Sequence, residues 1–205
     1  MDIERIELIG GHPALDFVNS VEGRGSDTAL NYLPDFETLA RWFELAGLIT
    51  PQRREALFRR ARSDPQGATR VWRDAMKLRE SLDRIFRALA NRERPPVHAL
   101  AAFNEALQLS LANRQVVPDD SGTLRWTWRA GLDPLDSLLN EIALAAVDLM
   151  TDEKAKGRIK VCANGPCDWM FLDTSKNGQR KWCRMAVCGN VTKVRKFRAR
   201  QRSKS

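Results

Sequence analysis

Cys162-Ala163-Asn164-Gly165-Pro166-Cys167 and Cys183-Arg184-Met185-Ala186-Val187-Cys188 carry all four cysteines of the chain, two pairs of identical x4 spacing with fifteen residues between them. Two such knuckles bring two thiolates each to one tetrahedral ion at about 2.3 Å, and an all-sulfur set favours zinc. With every position filled by Cys there is no open coordination site, so a single Zn2+ is expected to fold the segment and to do no chemistry. Four free thiols, packed as small apolar groups or acting as redox sensors, are the plain alternative. An iron–sulfur cluster would accept the same ligands, but neither ferredoxin spacing is present. Asn164-Gly165-Pro166 offers a residue suited to positive φ and a fixed bend, and Gly189 is expected to serve similarly.

Downstream, Asn190 to Arg202 lack Gly and Pro and read as a helix. At 100° per residue Val194 and Phe197 share a narrow apolar face with Val191 at its margin. Lys193, Lys196 and Arg200 line one side of that face, and Arg195, Arg198 and Arg202 the other. The pattern predicts a helix docked on the zinc core by its apolar seam, presenting cations to the phosphates of a nucleic acid; a solvated basic tail is the bland reading. DNA and RNA are not distinguished by such a helix. Trp169, Phe171 and Trp182 are expected to be core around the metal. Lys160, Lys181 and Arg184 are placed to offset the −2 charge of a zinc tetrathiolate.

The charge is divided along the chain: residues 174–205 hold eleven Lys or Arg and no Asp or Glu, so the preceding 173 residues carry a net −3 of the overall +8. Upstream, Pro34 to Gly47 carries Phe36, Leu39, Ala40 and Phe43 at helical spacing. Thr50-Pro51 and Asp64-Pro65 read as two further helix starts. Trp72, Ala75, Leu78, Leu82, Ile85 and Leu89 predict a long amphipathic helix from Pro65 to Asn91. Another helix is expected over Val97 to Asn113, a hairpin over Val116 to Trp128 around Pro118-Asp119-Asp120-Ser121-Gly122, and a last body helix capped by Asp133-Pro134. Ile3, Ile6 and Leu8 suggest a short strand. The expected class is α+β: a mixed, mostly helical N-terminal domain (1–155) with a few strands, then a small four-cysteine zinc module with a basic C-terminal helix (156–205).

No stretch approaches the roughly 18 apolar residues of a membrane span, and an acidic start without an apolar run gives no secretory signal. A cytoplasmic location is therefore expected, with no membrane partner. No nucleophile, base and orienter set stands out, so the chain is not expected to be an enzyme, and Gly23-Arg24-Gly25 is too short for a phosphate loop. Asp16, Asn19 and Arg79 are the polar residues placed for a ligand pocket of the N-terminal domain. Asp16 and Asn19 would face one way on a helical turn, although a local capping network explains them equally. His12 before Pro13 reads as a capping residue. A small-molecule-binding or enzymatic N-terminal domain tethered by the zinc module to DNA, RNA or protein is the second functional reading.

Cys162-Ala-Asn-Gly-Pro-Cys167, Phe171-Leu172-Asp173, Arg180-Lys181-Trp182-Cys183-Arg184-Met185, Cys188-Gly189-Asn190 and Lys193-Val194-Arg195 together resemble the CGNR zinc finger. Leu15-Asp16-Phe17-Val18-Asn19, Trp42 to Leu48 with Ala46-Gly47-Leu48, and Leu78-Arg79-Glu80-Ser81-Leu82 resemble the ABATE domain that commonly precedes it. The resemblance implies a bacterial, stress-induced transcription regulator whose finger binds zinc and DNA; the N-terminal domain is expected to sense a ligand or partner. The fourth position of the name-giving motif is Val191 here, where the family has Arg. Any contact made by that Arg then falls to Arg195 or Arg198, or the chain binds differently. Neither the sequence nor the resemblance fixes an oligomeric state.

Overall fold

The computed structural model describes residues 6–24, 27 and 29–202. Its order is α1 (Pro13–Val18), β1 (Val21–Glu22), β2 (Leu30–Asn31), α2 (Phe36–Leu45), α3 (Pro51–Ser63), α4 (Pro65–Asn91), α5 (Val97–Ala112), β3 (Arg114–Pro118), β4 (Leu124–Trp128), α6 (Leu138–Thr151) and α7 (Glu153–Lys156). The hairpin strands β5 (Ile159–Val161) and β6 (Met170–Leu172), a π-helical turn (Met185–Gly189) and α8 (Asn190–Arg202) complete the chain. Each strand pair, β1–β2, β3–β4 and β5–β6, is a separate antiparallel ribbon, so the class is α+β with helices dominant. Among the described residues no helix is long and apolar enough to cross a membrane.

The spine is α4. Asp64 caps it by accepting the Gly67 N–H at 2.8 Å, Pro65 occupies the first turn, and Arg92 at φ 61° ends it in the left-handed region. Ala75, Leu78, Leu82 and Ile85 form its buried stripe, while Trp72 and Leu89 pack at the margin. Helices α1, α2, α3, α5 and α6 and strand β5 all pack against it. Helix α2 opens on a capping box between Asp35 and Thr38. It closes through Gly47 at φ 70°, with the Leu48 N–H bonded to the Phe43 carbonyl at 2.9 Å.

Helix α1, which the sequence reading did not place, lies at the centre. Only six residues long, it buries Leu15, Phe17 and Val18, and the Phe17 ring meets those of Trp42 and Phe43 with centroids 5.2 and 6.3 Å away. His12 caps it, its Nδ1 accepting from the Ala14 N–H at 3.2 Å. Two expectations differ from the structure. Ile3 lies outside the described residues, and Ile6 to Ile9 form no strand; the segment makes a single ladder-type bond to β6, from the Leu172 N–H to the Gly10 carbonyl at 2.7 Å. Asp133-Pro134 does not cap α6 but sets a turn in which the Asp133 carboxylate accepts the Leu135 N–H, and the helix starts one turn later at Leu138.

The β5–β6 hairpin is welded to the body. Ile159 and Met170 belong to the same core as Phe17 and Leu82. Asn19, at the C-cap of α1, accepts the Met170 N–H through Oδ1 and donates through Nδ2 to the Met170 carbonyl, both at 2.8 Å and both buried. One side chain thus replaces a missing strand neighbour for β6. Removing it leaves a buried donor and a buried acceptor unmet, so Asn19→Ala is expected to lower the unfolding free energy by about 2–4 kcal/mol, read by urea denaturation followed by helix circular dichroism.

Candidate metal centre

The strand ladder runs one pair beyond β5–β6, with the Cys162 N–H bonded to the Trp169 carbonyl at 2.9 Å, and this places the first two cysteines at the hairpin tip. There the Asn164 carbonyl accepts the Cys167 N–H at 2.7 Å and closes a tight turn. The second pair arrives from below: Ala163 N–H bonds to the Lys181 carbonyl at 2.8 Å, setting Cys183 beside Cys162, and the π-helical turn carries Cys188 back over it. Neither expected glycine conformation is used, since Gly165 and Gly189 both lack positive φ. A Cβ at Gly189 would lie 2.4 Å from Met185 Sδ and 3.4 Å from Trp182, so a larger residue there would displace the Met185 side chain.

The four Sγ atoms lie within 4.8 Å of one another, with Cys167–Cys183 at 3.7 Å and Cys183–Cys188 at 3.6 Å. A tetrahedron with 2.3 Å metal–sulfur bonds has edges of about 3.8 Å. A disulfide would need about 2.05 Å, and all four cysteines are free. The cage therefore fits one zinc ion. Packed together as thiols, the four are in electrostatic conflict. Donation from Cys183, with help from the Trp169 N–H, lowers the Cys167 thiol to about 6, and the same pairing together with burial drives Cys183 up. Burial raises Cys188 to about 11. A divalent cation removes the conflict by stabilising all four thiolates at once.

Beside the aromatics and Lys160, the surroundings hold the cage through Asp173 and Arg180, to which sequence reasoning gave no role. Asp173, 1% exposed, accepts from Lys160 Nζ at 2.7 Å, from the Ser175 N–H and hydroxyl at 3.0 and 2.5 Å, and from the Arg180 N–H at 2.9 Å. Burial would push its carboxyl up, but these donors outweigh it and hold it well below the usual carboxylate range. Arg180 lies 4.4 Å from the Phe171 ring centroid and donates to the carbonyls of Trp182 and Cys183. Phe171, Trp169 and Trp182 pack against the thiolates as expected. Lys160 and Arg184, the cations expected near the thiolates, make their ion pairs with Asp173 and Glu7. The sulfurs instead receive N–H groups, including Cys183 N–H to Cys162 Sγ at 3.4 Å and the Asn164 side chain to Cys188.

The model of the ABATE family, described as "Putative stress-induced transcription regulator", matches residues 11–153. The chain belongs to the ABATE family. Residues 158–201 match the CGNR zinc finger, and with the thiolate geometry this makes Cys162, Cys167, Cys183 and Cys188 a single structural zinc site. No curated protein matches the chain. An ABATE domain and a CGNR finger thus share one hydrophobic core, through Ile159 and Met170.

The other residues singled out from the sequence are placed as follows. Lys193, Arg195, Lys196, Arg198, Arg200 and Arg202 all lie exposed on α8, which buries no residue and packs chiefly on the π-helical turn. Its apolar seam is not docked as anticipated: Val191, Val194 and Phe197 are 40, 48 and 63% exposed. The turn that carries Cys188 leads the helix away from the core. Asp16, Asn19 and Arg79 are buried and turned to internal use. Asp16 accepts the Gly10 N–H at 2.7 Å, and Asn19 clamps β6. Arg79 donates to the Ser20 hydroxyl at 3.0 Å and to Asn31 Oδ1 at 2.8 Å, tying the end of α1 and β2 to α4. Burial, followed by the nearby Arg24 charge, lowers Arg79 to about 10.

Two outcomes are expected. Cys183→Ser should reduce bound zinc from one equivalent to none, measured by elemental analysis after dialysis. Burial raises Asp16 to about 6 from its ordinary 3.8, so the folded state holds a proton that the unfolded chain releases. Its contribution is complete below about pH 4, falls as pH rises, and is lost above about pH 6. Asp16→Asn should therefore match the parent at pH 4 and be more stable by ~2 kcal/mol at pH 7.5, in paired denaturation curves.

Proposed function

We propose that the protein is a zinc-dependent DNA-binding regulator in which α8 contacts the phosphates of a duplex and the ABATE domain receives an effector or partner signal. The observation that carries this reading is the charge and exposure of α8: six cations, no acid and no buried residue over thirteen positions. Among the described residues no carboxylate pairs with Lys193, Lys196, Arg198 or Arg202. A helix of this length spans about 20 Å and, at 10–12 Å across, suits the B-DNA major groove; the narrow major groove of duplex RNA would not admit it.

The metal orders this helix through one short relay. Arg195 Nη1 donates to Asn164 Oδ1 at 3.2 Å, and the Asn164 side chain bonds to the fourth zinc ligand, Cys188. Arg195 stands one turn after Val191 and takes over the cationic position on that face, while Arg198 has no ion pair among the described residues. The finger is also tied to the sensing body. Asp168, next to Cys167, accepts the Arg24 N–H at 2.9 Å, and its carbonyl accepts Arg87 Nη2 at 2.9 Å. Arg87 is itself held by Asp83, at 3.0 Å to each carboxylate oxygen. A signal at α4 therefore has a polar route to the first knuckle, and residues 1–155 and 156–205 would act as one unit.

Phe197, exposed between the two basic stripes, favours a second reading in which bases of a single strand stack on it. Fluorescence titration of the zinc-loaded protein with duplex DNA at several salt concentrations is expected to give a log–log slope near −4 to −5, from about four to six phosphate contacts. Arg198→Ala should make the slope shallower by about 1. A flat salt response would remove the proposal, and tighter binding to a single-stranded competitor would replace it with the second reading.

A further inference from the structure

Phosphate contacts account for the cations of α8 and leave its apolar seam without a role. At about 100° per residue, Thr192 and Arg195 stand ~160° and ~100° around the helix from Val194. Both turn toward the finger. Thr192 is half-buried, its hydroxyl donating to the Cys188 carbonyl at 2.8 Å, and Arg195 reaches Asn164 in the first knuckle. The opposite side of the helix is centred on Val194 and Phe197, 48 and 63% exposed, while Val191, nearer the finger on the wheel, is 40% exposed. Exposure thus rises with angular distance from the zinc cage, and the seam points outward. Asn190, at the head of this face, is already engaged, its Nδ2 donating to the Ala186 carbonyl at 3.0 Å.

Charge selects what this face can meet. Lys193 and Arg200 border it on one side, Arg198 and Arg202 on the other. A second copy of α8 would bring these like charges together. An apolar arc two side chains wide is too narrow to lie in a lipid interface. The two phosphate walls of a DNA groove match the two cationic borders. With both borders on phosphate, Val194 and Phe197 face the base edges. Neither side chain can donate or accept a hydrogen bond, so against the polar edges of guanine, cytosine or adenine they would strip water and return nothing. The C5-methyl group of thymine is the major-groove feature that an apolar side chain matches. Val194 and Phe197 are separated by about 4.5 Å along the helix axis, close to one base step of ~3.4 Å.

We propose that Val194 and Phe197 enter the major groove of a duplex as a pair and select neighbouring base pairs that carry a pyrimidine 5-methyl group. The inference rests on the preceding reading, that α8 binds duplex DNA, and adds the base preference to it. The cations set the affinity for any duplex and its salt dependence; the two apolar side chains set the preference among duplexes of equal charge.

The test is fluorescence anisotropy of the full-length, zinc-loaded protein with labelled duplexes of one length: A·T pairs alone, the same with uracil for thymine, G·C pairs alone, and the same with 5-methylcytosine for cytosine. Each methylated duplex is expected to bind roughly tenfold more tightly than its unmethylated counterpart, from two buried methyl groups, with the same salt slope. Methylation of the G·C duplex separates methyl contact from the groove shape of A·T sequences. The double substitution Val194→Ser with Phe197→Ser removes no buried residue from α8, so helix content, bound zinc and salt slope should persist while the methyl preference disappears. Equal binding of methylated and unmethylated duplexes at an unchanged salt slope, or a preference that survives in the double variant, would overturn this inference and leave the DNA reading standing. An equally large preference on the corresponding single strands would assign the side chains to base stacking and overturn it as well. Retention on phosphatidylglycerol vesicles that is lost in the double variant, without any methyl preference, would give the seam to a lipid surface instead. Absence of salt-dependent binding to all four duplexes would overturn both readings.

Discussion

Four thiolates cannot occupy one small volume unless a cation sits among them, and much of the C-terminal architecture follows from that electrostatic constraint. Without the ion, the first thiol to ionise raises the cost for the next. With it, two distant pieces of chain are held at tetrahedral spacing, and everything attached to either piece acquires a fixed place. The hairpin tip, the loop gathered on Asp173 and the π-helical turn have few other reasons to meet. The aromatic residues against the sulfurs, Phe171 above all, shield the cage from water and make its electrostatics stronger than they would be in solvent.

The body solves a different problem. A 27-residue helix has more apolar surface than one neighbour can cover, and α4 is covered in segments by α1, α2, α3, α5, α6 and the finger's own strand β5. The finger is therefore part of the body's hydrophobic closure. Asn19 and Met170 join points 151 residues apart in sequence, and ion pairs around Arg87 and Asp168 repeat the link at the surface. Burial provides the stability of this junction, while the buried hydrogen bonds provide its register.

Legibility in the sequence tracked the range of the interactions. The thiolate set, the long stripe from Ala75 to Ile85, the Thr50 and Asp64 caps and the Asp119–Gly122 turn are local patterns, and each was readable from residue type and spacing. Helix α1 was not, because it is only six residues long and five of them are buried, leaving no exposed polar face and therefore no period. Strands β5 and β6 have three residues each, too few for alternation, and β6 is completed by an asparagine from the other end of the chain. That same asparagine, with Asp16 and Arg79, looked like a set of ligand-binding groups; sequence cannot tell a buried polar residue that serves a ligand from one that serves the backbone. The Asp173 loop carried one local signal, the Asp-x-Ser spacing of an Asx-type turn, but not the Lys160 and Arg180 contacts that make it a hub.

The π-helical turn has a consequence for direction. An α-helix advances about 100° per residue, and a wider turn inserts one residue into that count. The azimuth at which α8 leaves the thiolate cage is therefore fixed by Met185, Ala186, Val187 and Gly189, none of which carries an ionisable side chain. A change of one residue in this stretch would preserve the length and charge of α8 and yet rotate its two cationic stripes by more than a quarter of a circle. The orientation of the basic surface is thus encoded in uncharged residues.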